Sequence, residues 1–112
     1  MKKIGGARKV KGGTSFPTLS QRQIRSFTNS LKVGDLIQIQ WIDAFSEKGW
    51  IAVPEMTTAH PCAVCGYYIN TNAGYVRIGI NKSRTQTDGW VNFSDHWGIP
   101  EGMIFGMEKF SA

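Results

Sequence analysis

Two cysteines and two histidines are the residues of this chain whose types could bind a metal ion. Cys62 and Cys65 stand in the sequence His60-Pro61-Cys62-Ala63-Val64-Cys65-Gly66, and the second histidine is His96. A C-x2-C spacing lets two thiolates reach one tetrahedral zinc ion. Zinc held by His60, Cys62, Cys65 and His96, with a carboxylate beside His96 in reserve, is therefore one interpretation. Because no second C-x2-C pair is present, a pair of reduced thiols on a strand is the favoured one.

The same residues give little support for catalysis. A redox dithiol of thioredoxin type needs a helix after its cysteines, but residues 67–69 continue in a strand pattern. Asp95 and His96 are adjacent, and adjacent side chains usually diverge, so we expect them in a polar turn between Phe93 and Ile99. With no nucleophile motif and no glycine-rich phosphate loop, the chain is not expected to be an enzyme.

Charge is divided unevenly along the 112 residues. Residues 1–34 contain eight lysines and arginines and no acidic residue, whereas residues 35–112 contain five basic and eight acidic residues. Such a basic arm on a nearly neutral body indicates a polyanionic partner. The glycines Gly5-Gly6 and Gly12-Gly13 do not form a phosphate-loop motif and are interpreted as flexibility.

A flexible basic arm can follow the phosphates of nucleic acid and displace their counterions. Aromatic side chains beside strands could add base stacking, although Trp41, Trp50 and Trp90 are better explained as core. The stacking candidates are Tyr67, Tyr68, Tyr75, Trp90 and Trp97. The candidate phosphate contacts are Lys2, Lys3, Arg8, Lys9, Lys11, Arg22, Arg25, Arg77, Lys82 and Arg84.

Three segments must position these residues. Residues 1–17 are rich in glycine and cations and predict a flexible arm. Residues 18–32 predict one short helix, with apolar residues near one side and a capping box from Ser20 to Gln23. Arg22 and Arg25 share a face of that helix, most simply as solvated side chains.

Residues 33–112 predict a mainly β domain. Alternating residues give the clearest strand over Leu36–Ile42, with Ile37, Ile39 and Trp41 buried. A hairpin loop over Asn70–Gly74 places Val76, Ile78 and Ile80 in the core. Further strands are expected at Trp50–Val53, Val64–Asn70, Tyr75–Asn81, Trp90–Phe93 and Met103–Phe110. Turn residues at these intervals favour a small antiparallel barrel or sandwich of five or six strands.

Several short motifs recur together in residues 33–110. They are Val33-Gly34-Asp35-Leu36 before Trp41-Ile42-Asp43-Ala44, then Gly49-Trp50, then Cys62 followed by Gly66-Tyr67-Tyr68-Ile69, and Ile99-Pro100-Glu101-Gly102-Met103-Ile104. Together they resemble a group of small, mostly uncharacterised tailed-phage proteins. The sequence departs from the family pattern at Val64-Cys65-Gly66, where Ser-Val-Gly is expected. The resemblance implies a viral structural or accessory barrel of SH3-like or Sm-like form, and fold alone does not assign its function.

These observations favour a binding module in which the basic arm engages nucleic acid, with no metal or cofactor required. The alternative is a phage structural or accessory protein that forms homo-oligomers or binds a host factor. A variant of this alternative holds a small anionic ligand between subunits. Apolar runs are too short for a membrane span, and no apolar block follows Lys2 and Lys3. With two cysteines only, the chain is expected in the cytoplasm. If it is encoded by a phage, the expected location is the cytoplasm of the host cell or the virion.

Overall fold

The computed structural model describes residues 2–10, 13–42, 61–84 and 91–110, and within them the chain is mainly β. The elements are β1 (Lys3–Gly5), β2 (Arg8–Val10), β3 (Gly13–Ser15), α1 (Gln21–Asn29), β4 (Leu36–Ile42), β5 (Pro61–Asn72), β6 (Tyr75–Arg84), β7 (Val91–Pro100), a 3-10 turn (Glu101–Met103) and β8 (Ile104–Lys109). The predicted strand Trp50–Val53, Trp90, His60, Lys11 and Gly12 lie outside the described residues.

Six strands form one antiparallel sheet in the order β1-β8-β4-β5-β6-β7, while β2 and β3 form a separate two-stranded ribbon. The predicted mainly β class, with an antiparallel sheet of five or six strands and one short helix, is therefore confirmed within the described residues. The sheet is open in the described part of the chain, because β1 and β7 each pair on one side only.

The central strand β4 has the predicted bounds and the predicted faces. Ile37 and Ile39 are fully buried and Trp41 is nearly so, whereas Leu36 and the intervening glutamines face away from the core. Period-two alternation puts successive side chains on opposite faces of the sheet, so a single face of β4 supplies the core.

Helix α1 covers the core and is shorter than the segment predicted for it. The predicted capping box is confirmed: the Gln23 backbone N–H donates to Ser20 Oγ at 3.1 Å, and the Ser20 N–H donates to Gln23 Oε1 at 2.9 Å. Ile24 and Phe27 point into the core and are buried. The cap satisfies backbone donors that a helix leaves unpaired at its first turn.

Two expectations for strands β6 and β7 were wrong. The β5–β6 hairpin turns at Ala73-Gly74 and buries Val76 and Ile78 as predicted, but Ile80 is 38% exposed. Asp95 and His96 lie inside β7 rather than in a turn, because β7 pairs with β6 on both sides of them, with His96 opposite Gly79 and Ser94 opposite Asn81. Asp95 adopts a left-handed φ of 53°, which an aspartate tolerates better than most residues.

The sheet curls so that strands which are not neighbours meet across the concave face. Trp41 on β4 and Trp97 on β7 stack edge to face, with ring centroids 6.4 Å apart and an interplanar angle of 88°. Two strands separate β4 from β7 in the sheet order, so a flat sheet would not allow this contact. The buried face of Trp41 thus comes from curvature as well as from strand pairing.

The start of the predicted arm belongs to the sheet. Lys3, Ile4 and Gly5 pair with Glu108, Met107 and Gly106 of β8. Gly5 has φ +63°, and a Cβ there would overlap the Phe105 carbonyl oxygen and come within 2.7 Å of Leu19 Cδ2. Glycine at this position therefore permits a close approach of two backbones, in addition to any flexibility it supplies.

Candidate nucleic-acid interface

The structure separates the residues of the predicted metal site. Cys62 is half-buried against the core, whereas Cys65 is exposed on the opposite face, where Gln38 Nε2 lies 3.9 Å from its Sγ. Residues three apart on a strand point to opposite faces, so the two thiols of this C-x2-C do not converge. His96 of β7 is exposed and lies directly opposite Gly79 of β6. No group of three His, Cys, Asp or Glu side chains suited to a metal occurs among the described residues.

The arm cations are exposed at the β1 edge of the sheet. Lys2, Lys3, Arg8 and Lys9 are all solvent-exposed. Lys3 is directly opposite Glu108 on β8, but their charged atoms do not come within ion-pair distance. The ion pair formed within the described residues joins Lys109 Nζ to Asp35 Oδ2 at 3.4 Å. No carboxylate of the described residues therefore forms an ion pair with Lys2, Lys3, Arg8 or Lys9.

Phe105 of β8 contacts both ends of the segment that carries Arg8 and Lys9. The Gly6 backbone N–H donates to the Phe105 carbonyl oxygen at 2.7 Å, and the Phe16 ring packs against the Phe105 ring at 5.0 Å between centroids. Phe105 is buried yet lies outside the main core cluster, so the arm contributes to its cover. The β2–β3 ribbon with Arg8 and Lys9 is thus fixed at its base. Sequence reasoning missed this anchor because neither phenylalanine belongs to a periodic pattern.

The two helix arginines border different grooves. Arg22 lines a groove of about 270 Å³ together with Ile4 of β1, and so extends the basic edge formed by the arm. Arg25 lines a groove of about 410 Å³ with Asn29 and the residues before the β5–β6 turn. Both side chains are exposed, as predicted.

The cations of β6 are held by neighbouring side chains. Arg77 Nη1 donates to Asn70 Oδ1 at 3.4 Å and to the Asn72 carbonyl oxygen at 3.3 Å, and its guanidinium lies 5.9 Å from the centre of the Tyr75 ring. Lys82 Nζ lies 4.5 Å above the Tyr67 ring. Arg84 ends β6, and nothing is described of its side chain. Aromatic and basic groups are therefore adjacent at two places on this side of the sheet.

The predicted aromatic candidates divide between core and surface. Tyr68 is buried, and its hydroxyl shares a 2.8 Å hydrogen bond with Thr71 Oγ1. Tyr75 and Trp97 are 41% and 46% exposed, and Trp41 is core as expected. Leu36 and Phe110 are also exposed, at 40% and 37%, and neither was predicted as a binding residue. The surface thus offers both stacking rings and aliphatic contacts.

Glu101, in the 3-10 turn, is a buried acidic residue that contacts Gln21 at the start of helix α1. Its Oε2 accepts a hydrogen bond from Gln21 Nε2 at 3.0 Å, whereas its Oε1 has no hydrogen-bond partner among the described residues. The side chain is 6% exposed. A buried carboxylate oxygen without a donor reduces stability, since the desolvation of the charge is not repaid.

No helix in the described ranges is both long and apolar enough to cross a membrane. Comparisons with protein-family models, curated proteins and solved structures find no match to this chain.

Proposed function

We propose that this chain is a non-enzymatic binding module whose basic arm engages the phosphates of nucleic acid. The observation that carries the proposal is the state of the arm cations: Lys2, Arg8 and Lys9 are exposed and pair with no described carboxylate. Asp35, a carboxylate that could have neutralised them, is engaged by Lys109. Unpaired lysines and arginines on one edge are the electrostatic footprint of a polyanion-binding surface.

The fixed base of the arm supports this function. Contacts of Gly6 and Phe16 with Phe105 hold the β2–β3 ribbon beside the sheet, so its cations stay near one another. Arg22 continues the same edge across the groove that it shares with Ile4. Preorganised cations lose less conformational entropy when they bind phosphates than cations on a free chain.

The proposal includes the SH3-like or Sm-like barrel and the phage origin that the motifs of residues 33–110 suggest. The Trp41–Trp97 contact supports an SH3-like or Sm-like arrangement, because the sheet curls toward closure. The same proposal includes membership of the group of small tailed-phage proteins that the sequence resembles. It does not include a zinc site.

Salt-dependent binding tests the proposal. Fluorescence anisotropy with labelled single-stranded DNA, duplex DNA and RNA should give affinities that fall linearly with the logarithm of salt, with a slope near −0.7 to −0.9 per phosphate contacted. Replacing Lys2, Lys3, Arg8, Lys9 and Lys11 by Ala should weaken binding to all three and reduce the slope by about 3 to 5. The control is Lys109→Ala, which removes a cation already paired with Asp35. Absence of binding at low salt, or equal binding by the five-fold variant, would contradict the proposal.

A second candidate function is assembly as a phage structural or accessory protein. The outer edge of β7 favours it, because no described strand pairs with that side of Val91–Pro100 and Trp97 of this strand is 46% exposed. Such an edge can pair with a strand of another chain. Light scattering distinguishes the candidates, since a salt-insensitive oligomer without nucleic-acid binding favours assembly. A small anionic ligand held between subunits belongs to this second candidate.

A further inference from the structure

Three side chains stand in a row across the sheet on the face away from the core. Leu36 on β4 is directly opposite Tyr67 on β5. The Phe110 backbone N–H donates to the Leu36 carbonyl oxygen at 3.0 Å, one residue beyond the pairing of Lys109 with Ile37. Directly opposed residues of an antiparallel pair share a face. Phe110, Leu36 and Tyr67 therefore lie side by side, and we call them the outer row.

The outer row is an apolar stretch on a face that is otherwise polar along β4. Leu36 is 40% and Phe110 37% exposed, while the next outward residues of β4 are glutamines 38 and 40. Strands lie about 4.8 Å apart, so three neighbouring side chains span about 10 Å. This length matches one or two nucleotide bases rather than a protein interface of standard size.

A cation is fixed at the Tyr67 end of the row. Lys82 Nζ lies 4.5 Å above the Tyr67 ring and donates to the Gly34 carbonyl oxygen at 3.0 Å. An ammonium group has three donors, so two remain for another acceptor. Within the described residues, no carboxylate forms an ion pair with Lys82. The margin of the row is therefore positive at Lys82.

We propose that the outer row binds single-stranded nucleic acid, with a base against Leu36 and Phe110 and a phosphate at Lys82. This inference rests on the proposed function and deepens it by naming the strand state of the ligand. In a duplex the bases are stacked and paired, so they cannot lie on an apolar surface, whereas an unpaired base can. The arm binds phosphates of either form, and the row adds affinity for single strands.

Charge argues against a second copy of this chain as the occupant. A two-fold contact between two outer rows would bring two copies of Lys82 toward each other. No described carboxylate pairs with Lys82 to offset this repulsion. Like charges brought together in an interface oppose association.

The test is the double variant Leu36→Ser/Phe110→Ser, measured by anisotropy with labelled oligothymidine of about 15 nucleotides and with a duplex of equal length. We expect the affinity for the single strand to fall about ten-fold, and that for the duplex to change less than two-fold. Val33→Ser is the matched control, because Val33 is 59% exposed but does not belong to the row. Urea unfolding checks that the variants are folded. If the double variant does not fold, the single variant Phe110→Ala is measured in its place.

The outcomes separate the inference from the function beneath it. If the row variant binds both ligands like wild type while the five-fold arm variant loses both, the row has no such role and the arm function stands. If wild type binds neither ligand at low salt, both proposals fail. If the row variant dissociates a wild-type dimer and leaves single-strand affinity unchanged, the row is a self-association surface and the inference is overturned.

Discussion

Phe16 packs edge-on against Phe105, with 5.0 Å between ring centroids and an interplanar angle of 66°. This contact joins the residue after the β2–β3 ribbon to β8, the last strand of the sheet. Gly6, which precedes the ribbon, contacts the same residue because its backbone N–H donates to the Phe105 carbonyl oxygen. A single residue thus fixes both sides of the ribbon that carries Arg8 and Lys9.

Replacing Phe16 by Ala should release the ribbon without unfolding the sheet. The half-buried ring loses part of its transfer free energy, so the free energy of unfolding should fall by about 2 kcal/mol. Hydrogen exchange should accelerate at the amides of residues 8–15 and remain slow in β4. Val33→Ala is the control and should change neither quantity. Uniform acceleration across the sheet would mean that the contact supports the whole fold.

Three glycines allow backbone strain and steric overlap to be measured separately. Gly102→Ala has open space and no positive φ, and should be nearly neutral. Gly74→Ala, at φ +83° in open space, should cost about 1 kcal/mol from strain alone. Gly5→Ala combines φ +63° with overlap on Phe105 and should cost about 3 kcal/mol. Urea unfolding measures all three, and an equal cost at Gly5 and Gly74 would show that β1 shifts to accommodate the methyl group.

Glu101→Gln should stabilise the protein by about 1 kcal/mol at neutral pH. Glutamine keeps an acceptor for Gln21 Nε2 and removes a buried charge of which one oxygen has no described donor. Thermal and urea unfolding compare the variant with wild type, and Glu108→Gln, on a less buried acid, is the control. A clear loss of stability in Glu101→Gln would reveal a donor or cation at Oε1.

The cysteines should respond differently to substitution because they occupy opposite faces of β5. Cys62→Ser places a hydroxyl against the core and should cost about 1 kcal/mol, whereas Cys65→Ser should be neutral within about 0.5 kcal/mol. Stoichiometric zinc should leave the melting temperature of wild type unchanged. A zinc-dependent rise that both substitutions abolish would restore the predicted metal site.

Short sequence patterns correctly predicted the parts of this fold that depend on a few consecutive residues. The alternation of Leu36–Ile42 and the Ser20–Gln23 capping box are each contained in a few consecutive residues, and both are confirmed. Val76 and Ile78 followed from the same period-two argument. Ile80 did not, because the pairing of β5 with β6 ends at Gly79 and the strand beyond it has less cover.

Features that depend on distant pairing could not be predicted. The three residues of β1 have no periodicity and become a strand only through β8, about a hundred residues later. The cysteine pair was expected on a strand with both thiols buried, but the alternation of that strand puts Cys65 on the face opposite Cys62. The outer row joins Leu36, Tyr67 and Phe110 only when the register is known.

The pairing of β1 with β8 makes the first strand depend on the last. During synthesis residues 3–5 must wait until residue 108 has emerged before their edge can form, a contact of long sequence separation that slows folding. The Lys109 backbone N–H also donates to the Lys2 carbonyl oxygen at 2.6 Å, so these two positions are neighbours in space. A short linker between them, with new ends opened at the Ala73-Gly74 turn, would give a circular permutant that forms this edge early and should refold faster.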